Sequence, residues 1–243
     1  MHNENKVILY LCQMEDIHMK LFIDDAHLDE IKRLYEYYPV DGVTTTPSIL
    51  SKVDQDPRKT LKEIREFIGE DDIIFAQAVA LDADGIVADA HMIVDLLGKN
   101  TVVKVPSVPE GFKAIKLLTK EGIPTCGTVV YTPMQAYLAA KAGASYVAPY
   151  VNRIDNMGYD GVEVVKEIQD ILDNSDFDCE VLAASFKNSQ QVMELAQDGV
   201  GGATAAPSVI DGFVKNMAID GAVQDFVNDF EKLTGKKAMT DLD

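Results

Sequence analysis

Residues 101–129, TVVKVPSVPEGFKAIKLLTKEGIPTCGTV, contain the pattern that decides the fold. An apolar, β-branched run at Thr101–Val105 is followed by an amphipathic run at Glu110–Lys120 and by a second apolar run at Pro124–Val129. Pro109 precedes the amphipathic run, and proline is typical of the first turn of a helix. A strand, a helix and a second strand in this order form a βαβ unit with parallel strands. The segment therefore predicts a parallel sheet covered by helices.

The same alternation continues over most of the chain and gives eight predicted strands. These are Leu21–Asp24, Gly42–Thr45, Ile73–Val79, Thr101–Val105, Pro124–Val129, Ser145–Tyr150, Glu180–Ser185 and, with the weakest pattern, Val200–Ala203. Eight βα units in a chain of 243 residues predict an α/β protein with a single (β/α)8 TIM barrel. A doubly wound open sheet is the alternative, but no glycine-rich dinucleotide loop follows the first strand.

The two ends of the chain are predicted to lie outside the barrel, which we place at residues 19–217. Residues 1–18 precede the regular pattern, so we expect either an N-terminal appendage or a natural translation start at Met19. Residues 218–243 contain a predicted closing helix, Ala218–Leu233, with one apolar stripe formed by Val223, Phe226, Val227 and Phe230. Such a stripe needs a cover, which is either the barrel itself or a neighbouring subunit.

The charge of the chain argues against several classes of partner. Lys and Arg number 22 and Asp and Glu number 40, which gives a net charge of −18. This field repels nucleic acids and anionic membranes, so small molecules are the expected ligands. The apolar run Val7–Cys12 is too short to span a bilayer, and its flanks do not match a signal peptide. An odd number of cysteines, 3, without an export signal indicates a reducing compartment, and we expect a cytoplasmic protein.

Metal chemistry is not expected. The 4 histidines form no HxH or HxxxH pair, and the cysteines show no close metal-type spacing. The sequence therefore predicts neither a metal site nor a cofactor.

Lys104 is the most informative candidate for chemistry because it interrupts a strand that is otherwise apolar on both faces. Desolvation disfavours the ammonium form of a buried lysine, and the neutral amine attacks carbonyl carbons to form a Schiff base. The alternative is a lysine near a strand end whose amine reaches water.

Other polar residues close the remaining strands, where the active site of a barrel lies. Taken singly, each has a structural interpretation as a helix cap, a strand threonine or a core amide. Taken together, they would surround one amine with hydroxyls, an amide and a carboxylate, and strand alternation points Lys104 and Thr128 inward. The set consists of Asp24, Thr44, Thr45, Gln77, Lys104, Thr128, Tyr150, Asn152, Arg153, Ser185, Lys187 and Asn188.

Seven sequence blocks resemble the fructose-6-phosphate aldolase and small transaldolase family. They occur in the order found in the family, and the similarity covers the chain from about Met19 to the C-terminus. A lysine on the fourth strand also distinguishes this family from deoxyribose-phosphate aldolases, whose lysine lies on the sixth. The blocks are Leu21–Asp24, Gly42–Ser48, Phe75–Gln77, Val102–Pro106, Gly122–Thr125, Ala148–Asp155 and Leu182–Phe186.

The resemblance implies a class I aldol mechanism on sugar phosphates, without a cofactor. Lys104 would form the Schiff base with a ketose, and Asp24 would assist deprotonation of the hydroxyl whose carbon–carbon bond breaks. Glyceraldehyde 3-phosphate would leave, and a three-carbon enamine would stay on Lys104. The implied substrate-binding residues are Thr44, Thr45, Thr46, Asn152, Arg153 and Ser185, of which the last two would hold the phosphate.

The fate of the enamine separates two activities. In the aldolases of the family, a water held by glutamine, threonine and tyrosine protonates the enamine, and here these residues would be Gln77, Thr128 and Tyr150. The transaldolases typically have glutamate and phenylalanine instead of Gln77 and Tyr150, and pass the enamine to an aldose phosphate. The sequence thus favours an aldolase, with a transaldolase and a non-catalytic sugar-phosphate-binding barrel as alternatives.

Two further points follow from the resemblance. The family usually has asparagine where this chain has Thr46, so the preferred sugar stays open. Family members commonly form pentamers or decamers through the C-terminal helix, which implies a homo-oligomer.

Overall fold

The computed structural model describes residues 19–242, so the expected appendage at residues 1–18 lies outside the described residues. Eight parallel strands pair in chain order and close into a barrel, which confirms the predicted (β/α)8 TIM barrel. The strands are β1 Lys20–Asp24, β2 Gly42–Thr44, β3 Ile73–Gln77, β4 Thr101–Pro106, β5 Thr125–Val130, β6 Tyr146–Pro149, β7 Glu180–Ala183 and β8 Gly202–Ala205.

The helices alternate with the strands and surround the barrel. They are α1 Leu28–Tyr37, α2 Pro47–Leu50, α3 Pro57–Ile68, α4 Ala83–Leu97, α5 Pro109–Lys120, α6 Pro133–Ala142, α7 Val151–Asp155, α8 Gly161–Asn174, α9 Ser189–Gln197, α10 Pro207–Asp211 and α11 Met217–Thr234, followed by a 3₁₀ turn at Met239–Asp241. Several helices begin with a capping side chain that is followed directly by proline. The Asp56 carboxylate accepts backbone N–H bonds at the start of α3, and the Thr132 hydroxyl caps α6. None of the helices in residues 19–242 is long and apolar enough to cross a membrane.

Several predicted strand ends are wrong by one or two residues. β3 ends at Gln77 rather than Val79, because the backbone N–H groups of Val79 and Ala80 turn to the Asp89 carboxylate. β8 lies two residues later than predicted, since its residue pairing with β1 and β7 begins at Gly202. This shift places Thr204 inside the strand. The C-terminal helix was predicted at Ala218–Leu233 and extends one residue further at each end.

The barrel interior has an apolar layer beneath a polar layer. Phe22 and Phe75 meet edge to face with ring centroids 5.3 Å apart, and Val102, Cys126, Ala148 and Leu182 complete this buried cluster. Below it, Lys20 and Glu180 form an ion pair at 2.9 Å. Two residues further along most of these strands, alternation brings polar side chains inward at the carboxyl end of the barrel, whereas β7 is followed there by Ala184. The apolar layer thus closes the barrel from below and leaves the polar layer open at one end only.

Candidate active site

Lys104 lies in the middle of the polar layer. Its side chain points into the barrel, since Val103 and Val105 pack against the helices, and the residue is only 1% exposed. The alternative in which its amine reaches water is therefore wrong. Within residues 19–242, no carboxylate oxygen lies within 4.0 Å of its Nζ. Lys104 thus presents a buried amine that is not held in an ion pair, as a nucleophile requires.

Asp24 is the carboxylate that faces this amine from β1. Thr44 on the neighbouring strand donates its hydroxyl proton to Asp24 Oδ1 at 2.8 Å. Burial raises the pKa of Asp24, although the positive charge of Lys104 and the hydrogen bond from Thr44 oppose the shift. The adjacent Asp25 points the other way and accepts the backbone N–H of Ala26 and His27. Asp24 therefore remains free for proton transfer, with an increased affinity for a proton.

A pair of hydroxyls lies at the opposite side of the mouth. Thr128 Oγ1 on β5 and the Tyr150 hydroxyl after β6 are 3.0 Å apart, and both residues are buried. Between Gly127 and Val130 the register of β5 against β6 shifts, and Val129 has a positive φ of 60°. A β-branched residue in this conformation is a marked exception. The irregularity lies next to Thr128 and accompanies its approach to Tyr150.

Gln77 supplies the predicted amide. Its Cα pairs with the Cα of Lys104 across β3 and β4, and alternation from Phe75 turns its side chain inward. It is partly exposed, which places it at the open end of the barrel on the strand next to Lys104.

The predicted phosphate ligands gather around β6 and β7. The Arg153 guanidinium lies over the Tyr150 ring at 4.4 Å from the centroid, and the nearby Tyr131 hydroxyl raises the pKa of Arg153. The backbone N–H of Asn152 donates to the Ser185 carbonyl oxygen at 2.8 Å. Arg153, Asn152 and Ser185 therefore occupy one side of the site, next to the Thr128–Tyr150 pair.

Two other candidates have local hydrogen bonds of their own. The Thr45 hydroxyl donates to the carbonyl oxygen of Phe75 at 3.0 Å and is fully buried. Thr46 caps α2, with its hydroxyl accepting the Ile49 N–H at 3.3 Å. The structure does not bring these two hydroxyls into the cluster, and their substrate contacts stay predictions.

Thr204 belongs to the polar layer, although the sequence pattern did not predict it there. Its Oγ1 lies 2.6 Å from Oγ1 of Thr44, and the residue is 1% exposed. The strand pattern over Val200–Ala203 ended one residue too early to contain it. Inward alternation from Gly202 would have identified Thr204 if the correct strand bounds had been known.

Other nucleophiles and metal ligands do not compete with Lys104. Burial raises the pKa of Cys126, one layer below, to about 12, so its thiol stays protonated at neutral pH. In the described part of the chain, no three His, Cys, Asp or Glu side chains cluster as metal ligands do. The arrangement suits addition of an amine to a carbonyl carbon, with a carboxylate and hydroxyls placed to move protons.

Comparison with known proteins agrees with this chemistry. The family model described as transaldolase/fructose-6-phosphate aldolase matches residues 21–242. A probable transaldolase from Aquifex aeolicus is 40% identical over 218 residues, covering 90% of this chain and 99% of the relative. One from Thermodesulfovibrio yellowstonii is 41% identical over 215 residues, covering 88% and 99%.

Solved structures support the fold at low sequence identity. A dihydrodipicolinate synthase from Thermotoga maritima superimposes with a TM-score of 0.58 at 13% identity, covering 81% of this chain and 72% of that chain. A second dihydrodipicolinate synthase, from Rhodopseudomonas palustris, gives a TM-score of 0.56 at 13% identity, covering 80% and 73%.

Proposed function

The chain belongs to the transaldolase/fructose-6-phosphate aldolase family, and from this premise we propose that it is a Schiff-base aldolase. Its substrate is fructose 6-phosphate or a similar ketose phosphate, and its products are dihydroxyacetone and glyceraldehyde 3-phosphate. The observation that carries the proposal is the buried Lys104 amine, which has no ion-pair partner in the described chain and faces Asp24 across the barrel mouth.

The reaction begins when Lys104 Nζ attacks the ketose carbonyl carbon. Loss of one water gives a protonated imine on Lys104. Asp24 then accepts the proton of the hydroxyl at C4, the C3–C4 bond breaks, and its electron pair moves to the iminium as an enamine forms. Glyceraldehyde 3-phosphate leaves as the C4 oxygen becomes an aldehyde.

The enamine is then protonated rather than transferred. The hydroxyls of Thr128 and Tyr150 lie 3.0 Å apart and suit a shared water, with the Gln77 amide as a third polar group. This water gives a proton to the enamine carbon and is reprotonated by the proton that Asp24 took from the C4 hydroxyl. A second water then hydrolyses the resulting iminium, which releases dihydroxyacetone and frees Lys104. Arg153 and Ser185 hold the phosphate, because a guanidinium and a hydroxyl match its oxygens.

A transaldolase is the second candidate, and the names of the relatives favour it, since both are called probable transaldolase. Incubation with fructose 6-phosphate alone separates the two activities. Release of free dihydroxyacetone supports the aldolase, whereas turnover that requires added erythrose 4-phosphate supports the transferase.

Borohydride trapping tests the chemistry common to both activities. Reduction in the presence of fructose 6-phosphate should leave a three-carbon adduct on the peptide containing Lys104, and the Lys104→Met variant should carry none. Exposed Lys116 on α5 serves as an internal control for non-specific reduction. If wild-type protein gives no adduct on Lys104, the aldol mechanism is wrong and the chain is a sugar-phosphate-binding barrel.

We also propose that the protein is a homo-oligomer held together by α11. In the described structure no side chain of α11 is buried, and Phe226 is 73% exposed. A mainly apolar groove of about 560 Å³ lies on the surface of α9 and reaches Phe213, which shortly precedes α11 in the chain. It is lined by Met19, Ser189, Gln190, Val192, Met193, Ala196 and Phe213. The α11 helix of another copy is the proposed occupant.

Light scattering should show an oligomer, and the Phe226→Asp variant should have a mass shifted toward that of a monomer. A wild-type monomer at micromolar concentration would exclude the interface.

A further inference from the structure

Three side chains on adjacent strands form a continuous chain of hydrogen bonds beneath the open end of the barrel. Thr204 Oγ1 lies 2.6 Å from Thr44 Oγ1, and Thr44 Oγ1 lies 2.8 Å from Asp24 Oδ1. Thr44 and Thr204 are 0% and 1% exposed, so bulk water does not compete for these bonds.

Strand order explains how the three side chains meet. β1 lies between β2 and β8, so Asp24 has Thr44 on one flank and Thr204 on the other. The Cα of Thr44 pairs with that of Asp24, whereas the Cα of Thr204 pairs with that of Phe22, two residues earlier. Thr204 therefore reaches Thr44 from a position lower in the barrel than Asp24.

The number of available protons determines which group donates in each of these two hydrogen bonds. An ionised carboxylate only accepts hydrogen bonds, so the single proton of the Thr44 hydroxyl goes to Asp24. The short contact between Thr44 and Thr204 then requires that Thr204 donates its proton to Thr44. Each donation polarises the next hydroxyl, and bonds to a charged acceptor are the stronger kind.

We propose that Thr204 is a positioning residue that acts through Thr44 to orient Asp24 and to keep it in its proton-accepting form. This inference rests on the proposed function and adds a residue of β8 to the machinery of the same site. Without the Thr204 hydroxyl, Thr44 loses the donor that orients it, and the ionised form of Asp24 loses more than the protonated form. The carboxylate then becomes harder to ionise.

Three variants test the proposal in the cleavage of fructose 6-phosphate. Thr204→Val removes the hydroxyl at nearly constant shape, and Thr204→Ser retains it. Thr125→Val is the matched control, because Thr125 is also fully buried in a strand and its hydroxyl has no hydrogen-bond partner in the described chain. We expect Thr204→Val to lower kcat about tenfold, as loss of roughly 1.4 kcal/mol would. The acidic limb of its pH profile should move to higher pH, whereas Thr204→Ser and Thr125→Val should keep the wild-type limb.

A second measurement does not depend on activity. The free energies of unfolding of wild type, Thr204→Val, Asp24→Asn and the double variant form a cycle. We expect Thr204→Val to cost more stability when Asp24 is present than when it is Asn, above the pH at which Asp24 ionises. Should Thr204→Val not fold, Thr204→Ala replaces it in both measurements.

The outcomes separate this inference from the proposed function. An unchanged acidic limb together with no coupling in the cycle overturns the role of Thr204, whatever the trapping experiment shows. Absence of a trapped adduct on Lys104 overturns the proposed function, and coupling in the cycle would then still establish the hydrogen-bond chain.

Discussion

The hydroxyl of Tyr150 lies 3.0 Å from Thr128 Oγ1, and the guanidinium of Arg153 lies over the ring that carries it. One tyrosine thus contacts both the group proposed to hold water and the group proposed to bind phosphate. Tyr131 meets the same ring edge to face at 5.6 Å, which fixes its orientation. The phenol is therefore held in one position relative to Thr128.

Replacing Tyr150 with phenylalanine should change the fate of the enamine more than its formation. The variant keeps the ring under Arg153 and loses only the hydroxyl beside Thr128. We expect release of dihydroxyacetone to fall about tenfold or more, as removal of a general acid–base group typically does, while transfer to erythrose 4-phosphate is retained. The ratio of the two rates is the measurement, and Tyr159→Phe, at a tyrosine 67% exposed, is the control. An equal loss of both rates would contradict a role in protonation.

The pKa of Asp24 predicts a variant that is more stable and inactive. Because burial raises this pKa in the folded chain, the folded state favours the protonated carboxyl, and stability is lost as pH rises through the folded pKa. Asp24→Asn removes the buried charge and keeps an oxygen that accepts from Thr44. We expect a Tm a few degrees higher at pH 7, since about 1 kcal/mol corresponds to about 2–4 °C in a domain of this size.

The pH dependence distinguishes this explanation from a general effect of substitution. The difference in Tm between Asp24→Asn and wild type should shrink as pH falls through the folded pKa, and vanish below the pKa of an unfolded aspartate, near 3.8. Asp54→Asn, at an exposed carboxylate, should match wild type throughout. An advantage that stays constant down to acidic pH would show that desolvation of the charge is not its source.

The sequence predicted best those strands whose own residues favour the extended conformation. β4 has four β-branched residues around Lys104, so the strand and the inward direction of the lysine were predicted from the pattern. Whether its amine reaches water stayed open until the structure showed its burial. β8 reads Gly-Ala-Thr-Ala and has almost no intrinsic strand preference, so its pairing depends on neighbours distant in the chain. Thr204 was missed for this reason. The register shift beside Val129 was also not predicted, because the apolar, β-branched pattern of β5 continues through it.

The irregular segment around Val129 is held by Gln135, whose side chain bonds three backbone groups. Its Nε2 donates to the carbonyl oxygens of Ser107 and Val129, each at 3.2 Å, and its Oε1 accepts the Tyr131 N–H at 3.0 Å. Gln135→Ala should lower the free energy of unfolding by about 1–3 kcal/mol, because backbone groups lose their partners. It should also lower kcat, since Thr128 adjoins the released segment.

The control for this prediction is Gln169→Ala, which removes a bond at 2.8 Å to Asp173 on the exposed side of α8. We expect little change in kcat for this variant. A Gln135→Ala variant that loses stability but keeps wild-type kcat would show that the irregular segment is not needed to place Thr128.

Arg153 should control affinity for phosphorylated substrates rather than the bond-breaking step. Its guanidinium stacks on Tyr150 and is the predicted phosphate ligand, whereas Lys104 and Asp24 perform the chemistry. Arg153→Met removes the charge and retains an apolar side chain over the ring. Loss of charge-assisted hydrogen bonds worth about 1.5–3 kcal/mol should raise KM for fructose 6-phosphate by roughly 10- to 150-fold, with a smaller change in kcat.

Unphosphorylated fructose supplies the comparison for Arg153→Met, because it makes no phosphate contact. Its kcat/KM should be nearly the same in the variant and in the wild-type protein. If kcat/KM for fructose falls as far as that for fructose 6-phosphate, Arg153 acts by supporting Tyr150 and the phosphate lies elsewhere.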